Sequence, residues 1–342
     1  MGEPLRIGII GAGFIAEVIA QAIRDSGVAM VTGVASRRRE SAAALAARHG
    51  DVRVFDTVDA LVSWDGVDAI YCATPTAARE STCLAGVRAG RHLLAEKPFA
   101  SLESLRAITD ACRRHRVAFL DATHFVHHPR HKRLRAELHE RIGAPQAIQS
   151  SFFFPGTDPR NIRLRPDQEP TGAVGDMAWY CMRAVAEFTP ADAQVVDART
   201  YLDRHPETGG VWRAAGVLRL SNGCTSTWDA GYSTGANVQD LAIQGARGMI
   251  TQDDFVLDWA RGFGGGDASF VPAFTQRAGP VNPRAWERVE CPSDARQSVR
   301  MVQAFARLVH EGDAEARAAS MAISERTQSL VDAVWRARVE AR

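Results

Sequence analysis

Lysine is nearly absent from this chain of 342 residues. Lysine and arginine together number 41, yet only Lys97 and Lys132 are lysines. An ammonium is a compact, tunable point charge that suits proton transfer, whereas a guanidinium is always charged and geometrically fixed. Lys97 ends an apolar run and is the first candidate for an active-site residue, the alternative being that it survives by chance. Lys132 lies in a basic stretch typical of a solvated face.

The chain also lacks an excess of charge, a long apolar run and clustered cysteines. Its formal net charge is +1 and its pI is about 7.7, so we expect no nucleic-acid or membrane partner. No run of about 18 apolar residues occurs, and no cationic segment precedes a long apolar stretch, which argues against membrane insertion and secretion. The six cysteines form no C-x-x-C pair. They are typical of reduced core residues in a cytoplasmic protein.

The first part of the chain has the pattern of a parallel sheet. Through residue 122, short apolar runs alternate with helix-period segments, beginning with Leu5–Ile10, Phe14–Asp25 and Ala29–Ala35. This βαβ rhythm predicts strands covered by helices on both faces. The fold class is therefore α/β at the N-terminus, and we predict a dinucleotide-binding Rossmann domain over residues 1–123.

The pattern changes after about residue 143. Alternating segments separated by turn residues predict a large, mainly antiparallel open sheet, with one helix-period insertion at Val174–Phe188. Gly262–Gly266 and Pro272–Pro283 are typical of a long irregular surface loop, and Ser298–His310 and Ile323–Ala341 return to helical periodicity. We predict a C-terminal α+β domain for substrate binding and oligomerisation over residues 124–342.

A glycine-rich turn follows the first predicted strand. In Gly11-Ala12-Gly13-Phe14-Ile15-Ala16, the first glycine permits the tight turn, the second lets the backbone approach a pyrophosphate, and Ala16 allows close helix packing. The N–H groups at the start of the helix then face the anion. We predict cofactor contacts from Gly11, Gly13, Phe14 and Ile15.

The second predicted strand ends without the carboxylate that commonly binds the ribose of NAD. It continues instead as Ser36-Arg37-Arg38-Arg39. A hydroxyl and guanidiniums suit a 2′-phosphate, so we expect NADP(H) to be favoured over NAD(H), with Ser36 and Arg37 as the contacts. The sequence leaves open which of the three arginines binds the phosphate, since they cannot all face it.

Four motifs together carry a family resemblance. In chain order they are Gly11-x-Gly13-x-x-Ala16, Ala73-Thr74-Pro75, Glu96-Lys97-Pro98, and Gly172–Asp176 followed by Tyr180. The chain resembles the Gfo/Idh/MocA oxidoreductases, and among them NADP-dependent sugar ketoreductases and dihydrodiol dehydrogenases. The resemblance implies that Thr74, Pro75, Glu96 and Lys97 lie at the cofactor. It also suggests a homodimer or homotetramer.

The resemblance also implies catalytic roles. Lys97 would contact the nicotinamide ribose and substrate, Tyr180 would be the acid/base, and Asp176 would occupy the supporting carboxylate position. The i, i+4 spacing places Asp176 and Tyr180 on one helix face. A phenol titrates near 10, so it needs a neighbouring cation such as Lys97 near neutral pH. From the residues alone, Asp176 could equally be a helix-start residue favoured by the dipole, and Tyr180 a core aromatic.

The crossover after the last Rossmann strand is rich in histidine. The segment Phe119–Pro129 is similar to the His-His-Pro crossover of sugar 3-ketoreductases, and we predict that His124 or His128 contacts ligand hydroxyls. Four histidines within eight residues also suggest a metal. We predict none, because no carboxylate or cysteine stands at a spacing that completes a coordination set.

The chain departs from the family after Thr74-Pro75. The family commonly has Asn and, three positions later, His, whereas this sequence has Thr76 and Arg79. The change suggests an unusual, anionic substrate. Arg163, with Arg160 and Arg165, could serve the same preference as a substrate contact, and a solvated loop explains these arginines equally well.

These features predict an NAD(P)-dependent oxidoreductase. It would transfer a hydride between the nicotinamide and a hydroxyl or carbonyl carbon of a sugar-like substrate. A dihydrodiol or aldose dehydrogenase is the alternative enzyme. A non-catalytic NADP-binding regulator is the alternative of another class, and intact Lys97 and Tyr180 argue against it.

Overall fold

The chain folds into two compact units. The computed structural model describes residues 3–156, 158–262, 266–279 and 286–339. One unit consists of the residues up to His124 together with Arg296–Glu325. The other consists of Phe125–Ala295 together with the described residues from Arg326 onward. The first boundary lies one residue from the predicted one. The return of 296–325 to the first unit was not predicted, because the sequence placed everything after residue 123 in the second domain.

Six parallel strands form the sheet of the first unit. The strands are β1 (Leu5–Ile10), β2 (Ala29–Ala35), β3 (Arg53–Phe55), β4 (Ala69–Cys72), β5 (His92–Ala95) and β6 (Phe119–Asp121). Their order is β3-β2-β1-β4-β5-β6, and every pair is parallel. This is the doubly wound dinucleotide-binding order. The central strands are buried on both faces, as their continuous apolar character predicts; Ile7, Ile9 and Ile70 are fully buried.

Helices cover this sheet. They are α1 (Phe14–Asp25), α2 (Arg39–Arg48), α3 (Val58–Val62), α4 (Thr76–Arg88) and α5 (Leu102–His115). The short α3 was not predicted; the hydroxyl of Thr57 caps it by accepting from the Ala60 N–H at 3.1 Å. Capping by a threonine is a frequent helix start.

A mixed sheet of nine strands forms the second unit. Its strands are β7 (Pro145–Phe153), β8 (Val195–Arg204), β9 (Val211–Leu220), β10 (Thr225–Gly231), β11 (Val238–Gly245), β12 (Gly248–Gln252), β13 (Ala273–Ala278), β14 (Trp286–Glu290) and β15 (Arg338–Val339). Their order is β14-β13-β12-β11-β7-β10-β9-β8-β15. Only β7–β10 and β8–β15 pair in parallel. The predicted, mainly antiparallel sheet is therefore confirmed.

Five further helices complete the described chain. They are α6 (Pro129–Ile142), α7 (Ala173–Asp176), α8 (Ala178–Phe188), α9 (Gln297–His310) and α10 (Ala314–Arg336). In the first unit, α9 packs against α1 and β2. Among the described residues, no helix combines the length and the apolar character needed to cross a bilayer.

The structure corrects two predicted elements. Within Pro272–Pro283, residues 273–278 form β13, which pairs with β12 and β14, so the described part is not an irregular loop; residues 280–283 lie outside the described residues. Of Gly262–Gly266, residues 263–265 also lie outside them. The last helix begins at Ala314 rather than at residue 323 and ends at Arg336, and 340–341 are outside the description.

Buried charges join α6 to α8 in the second unit. Arg183 Nε donates to Glu187 Oε1 at 2.9 Å, and both side chains are 4% exposed. Arg135 Nη1 donates to Glu187 Oε2 at 3.0 Å, and His131 Nε2 lies 3.5 Å from the same oxygen. Burial alone would raise the pKa of Glu187, but the His131 ring and the Arg183 guanidinium outweigh it and hold that pKa well below its usual range.

Glu187→Gln should destabilise the protein by about 1.5–3 kcal/mol at pH 7, the range for a hydrogen bond to a charged group. Because the folded pKa is depressed, the carboxylate stabilises fully above the unfolded value of about 4.3, and this stabilisation is lost as pH falls toward the folded value. Urea unfolding of parent and variant from pH 7 to pH 3 measures both effects. The two stabilities should converge toward low pH.

Glu137→Gln is the matched control, because Glu137 also binds two arginines, Arg133 and Arg141, but its side chain is 31% exposed. It should cost less than about 1 kcal/mol. Equal losses in the two variants would contradict a special stabilising role for the buried carboxylate.

Candidate active site

The glycine-rich turn between β1 and α1 is built by two different constraints. Gly11 has φ +103°, and a Cβ there would lie 2.7 Å from the carbonyl oxygen of Ala73, so the site requires glycine. Gly13 faces open space, since a Cβ there would meet no atom within 4 Å. Ala16 is fully buried, which allows close packing of α1.

The start of α1 is open to an anion. Gly13 is the N-cap residue of α1 and has no side chain that could accept a hydrogen bond. The first N–H groups of the helix, including those of Phe14 and Ile15, are therefore not capped by it. Open space at Gly13 lies at this same point. The turn therefore fits a pyrophosphate held by backbone N–H groups.

The three arginines after β2 differ in their surroundings. Ser36 is half-buried, and Arg37, Arg38 and Arg39 are exposed. Arg39 Nη1 donates to Asp56, so its charge is partly neutralised. Within the described part of the chain, neither Arg37 nor Arg38 lies within ion-pair distance of a carboxylate. Arg38 is the N-cap residue of α2, which leaves Arg37 beside Ser36 as the best-placed guanidinium for a 2′-phosphate.

The loops after β4 and β5 leave the sheet side by side. Cys72, the last residue of β4, is in register with Ala95, the last of β5. Thr74-Pro75 therefore starts next to Glu96-Lys97. The Tyr71 hydroxyl donates to Glu96 Oε1 at 2.7 Å in a buried pair. Burial, together with the Glu96 charge, raises the pKa of Tyr71 well above its usual value.

His124 is a neutral imidazole close to the Lys97 charge. Nδ1 of His124 donates to Gln297 Oε1 at 3.2 Å. Burial lowers the pKa of His124 to about 3, and the Lys97 ammonium acts in the same direction, while Gln297 opposes it. Lys97 is itself only 8% exposed. Gln297 begins α9, far along the chain, and sequence reasoning missed it.

In the second unit, Asp176 accepts two hydrogen bonds on one oxygen. Arg163 Nε and the Tyr232 hydroxyl each donate to Asp176 Oδ2 at 2.7 Å. Burial first, and then the Asp176 charge, raises the pKa of Tyr232, and the same carboxylate raises the pKa of Arg163. The sequence analysis named Asp176 and Arg163 separately and missed Tyr232, which stands 56 residues after Asp176 and follows three intervening strands, β8 to β10.

Tyr180 lies in an aromatic cluster. It is 6% exposed, and its ring centre is 5.0 Å from that of Phe152 and 6.2 Å from that of Phe125. The predicted helix over 174–188 is divided at Met177, which lies between α7 and α8 and has φ −93° and ψ −47°.

His128 has an architectural role. Its Nδ1 accepts from the backbone N–H of Arg130 at 2.9 Å and caps α6, and the residue is 1% exposed. Its Nε2 lies 3.8 Å from Asp258 Oδ2. The Nδ1 atom of His128 is therefore engaged at the start of α6.

Two family models match the chain. The oxidoreductase family model with an NAD-binding Rossmann fold, GFO/IDH/MocA, matches residues 5–122, and the GFO/IDH/MocA C-terminal domain matches residues 131–251. Together the two matches cover more than half of the sequence. Their junction coincides with the first boundary between the two compact units.

Among curated relatives, dTDP-3,4-didehydro-2,6-dideoxy-alpha-D-glucose 3-reductase of Actinomadura kijaniata is 33% identical over 61% of this chain, and the match spans 64% of that reductase. D-xylose 1-dehydrogenase (NADP(+)) 2 of Haloferax volcanii is 26% identical over 90% of each chain. The crystal structure of KijD10, a 3-ketoreductase from Actinomadura kijaniata in complex with NADP and TDP-benzene, superposes with a TM-score of 0.85 at 26% identity, covering 99% of both chains.

These relatives confirm the predicted family, fold class and reaction class. The first two of the three named proteins are sugar oxidoreductases by name, and the third is a 3-ketoreductase that binds NADP and TDP-benzene. The chain belongs to the Gfo/Idh/MocA family of oxidoreductases.

Proposed function

We propose that this protein is an NADP(H)-dependent oxidoreductase that interconverts a hydroxyl and a carbonyl group on a sugar. The observation that carries the proposal is the Lys97 ammonium, buried at the carboxyl end of β5 and near the neutral His124. Ligands of doubly wound sheets bind outside the carboxyl ends of the strands. A buried ammonium at this edge is suited to bind and polarise an oxygen of the substrate.

The residues of the first unit fit the cofactor. The N–H groups at the start of α1, with Gly11 and Gly13, would hold the pyrophosphate, and Ser36 with Arg37 would hold the 2′-phosphate. Thr74, Pro75, Glu96 and Lys97 would contact the nicotinamide half. When bound, NADP(H) supplies or accepts the hydride.

The proton would pass through Tyr180. Its Oη would donate a proton when a ketone is reduced and accept one when an alcohol is oxidised. The rings of Phe125 and Phe152 hold the phenol in place. His124 is unsuited to this role, because a pKa of about 3 keeps its imidazole neutral near pH 7. His124 would instead contact a substrate hydroxyl.

Asp176 would support the site as a fixed carboxylate. Its two donors, Arg163 and Tyr232, hold Oδ2 in place. Arg163 would contact substrate only through the nitrogens that do not bind Asp176. Its side chain is 43% exposed, which leaves them accessible.

The relatives suggest two substrate classes. The Actinomadura reductase and the KijD10 complex favour a keto-sugar linked to a nucleoside diphosphate, whereas the Haloferax dehydrogenase favours a free aldose. Turnover of a dTDP-linked 3-keto-sugar with NADPH, compared with oxidation of D-xylose with NADP⁺, separates them. NADPH binding without turnover of any sugar in a panel would support the regulator instead.

We also propose a cytoplasmic homodimer or homotetramer. All six cysteines are free and buried, which suits a reducing compartment. We infer the oligomeric state from the family resemblance, and light scattering of the purified protein measures it.

Arg37→Ala should weaken NADPH binding by about 1–3 kcal/mol, the range for removing one partner of a hydrogen bond, and leave NADH binding nearly unchanged. Fluorescence titration with both cofactors measures the difference. Arg39→Ala is the matched control and should have a smaller effect, because Arg39 binds Asp56. Tighter binding of NADH than of NADPH by the parent would refute the proposed cofactor preference.

Lys97→Met keeps the side-chain volume but removes the ammonium. We expect turnover to fall by about 10²–10⁴-fold while cofactor affinity changes far less. Lys132→Met removes the other lysine, which is exposed, and should leave turnover unchanged. Steady-state kinetics of the two variants decide the matter, and parent-like turnover of Lys97→Met would remove Lys97 from the mechanism.

Tyr180→Phe removes one hydroxyl, so folding and cofactor binding should survive while turnover falls by about 10²-fold or more. Tyr201→Phe, at an exposed tyrosine on β8, is the control. The double variant Lys97→Met/Tyr180→Phe tests whether the two groups serve one step. If they do, it should be no slower than the slower single variant. An unchanged rate and pH profile in Tyr180→Phe would assign the proton to another group.

A further inference from the structure

Arg79 is a buried cation whose donors go to backbone carbonyl groups. It lies in the first turn of α4 and is 4% exposed. Its Nη2 donates to the Thr74 carbonyl at 2.5 Å, and its Nη1 donates to the Pro98 carbonyl and to Thr76 Oγ1, the latter at 3.0 Å. No carboxylate lies within ion-pair distance of it in the described part of the chain.

These bonds join two separate loops. Thr74 belongs to the loop after β4, and Pro98 belongs to the loop after β5. The guanidinium of Arg79 therefore connects these two loops. We call Arg79 and its two acceptors, the carbonyl groups of Thr74 and Pro98, the carbonyl clamp. Its Nε is buried and has no hydrogen-bond partner. Such a buried, unpaired donor costs stability. The guanidinium is therefore oriented so that its two terminal nitrogens connect the loops, although its Nε remains without an acceptor.

The clamp holds the loop that carries the proposed catalytic ammonium. Lys97 immediately precedes Pro98, and Thr74 precedes Pro75, another proposed cofactor contact. A planar guanidinium can hold two carbonyl groups at a set separation, whereas an ammonium offers no such fork. The structure thus gives Arg79 a role that differs from the one suggested by the sequence: its donors are engaged inside the protein and do not recognise an anionic substrate.

We propose that Arg79 is a positioning residue that acts through Lys97. By fixing the Pro98 carbonyl against the Thr74 carbonyl, it sets the place of Lys97 at the carboxyl end of β5. The proposal rests on the proposed function, in which Lys97 contacts cofactor and substrate. A displacement of about 1 Å at a reacting group can cost about 10²-fold in rate, so loosening the clamp should reduce turnover without removing any group that touches substrate.

Arg79→Lys is the primary test, because it keeps the charge and removes the fork. We expect kcat to fall by about 10–100-fold. Arg91→Lys is the matched control. Arg91 likewise donates to two backbone carbonyl groups, those of Val62 at the end of α3 at 2.8 Å and of Trp64 at 3.1 Å, but this segment carries no proposed site residue. It should leave kcat within about twofold, even where thermal unfolding shows a similar loss of stability.

Coupling to Lys97 separates positioning from general destabilisation. If Arg79 acts through Lys97, Arg79→Lys/Lys97→Met should be no slower than Lys97→Met alone, whereas the two losses multiply if the sites are independent. The same cycle on the Kd for NADPH, measured by fluorescence, needs no turnover. It should also be non-additive, because Lys97 is a proposed contact of the nicotinamide ribose.

The outcomes distinguish the two proposals. Multiplying losses in both cycles, or a parent-like kcat in Arg79→Lys, would overturn the clamp and leave the function standing. Non-additive NADPH binding in a protein that turns over no sugar would support the clamp and overturn the function. A parent protein that binds neither NADPH nor NADH would overturn both.

Discussion

The parallel pairing of β1, β2, β4 and β5 is the constraint on which the site depends. Parallel strands release their following loops at one edge of the sheet. The glycine turn, the Ser36–Arg37 segment, the Thr74-Pro75 loop and the Glu96–Lys97 loop are at least 20 residues apart in sequence, yet each follows a strand of this one sheet. The close approach of Gly11 to the Ala73 carbonyl shows how tightly neighbouring loops meet there.

Local signals in the sequence predicted the elements that have a strong local pattern. Continuous apolar runs identified the parallel strands, and the glycine spacing identified the first turn. The polar helix α6 was not predicted, because its apolar stripe is narrow. His128 and Pro129 at its start are nevertheless a recognisable helix N-terminus. β13 was not predicted, because proline residues flank it. Its formation also depends on pairing with β12 and β14, which no local sequence pattern encodes.

The partners of the site residues could not be predicted. Gln297 is 173 residues from His124, and Tyr232 is 56 residues from Asp176. Only the packing of α9 in the first unit and of β10 in the second brings such residues together. From the sequence alone, a hydrogen-bond donor such as Arg163 could bind either a substrate or a carboxylate of the protein. Burial decides between them, because a buried carboxylate needs partners.

The scarcity of lysine has a physical counterpart in the structure. Arginine repeatedly serves as a bridge between backbone carbonyl groups: Arg79 joins two loops, Arg91 spans Val62 and Trp64, and Arg326 Nη1 donates to the carbonyl groups of both Ala186 and Thr189 at 2.8 Å. Each role uses several donors in one plane, which an ammonium cannot supply. Lys97 would use a compact point charge instead. In the two proposals, the Arg79 guanidinium sets the geometry of the loops after β4 and β5, and the Lys97 ammonium takes part in the chemistry.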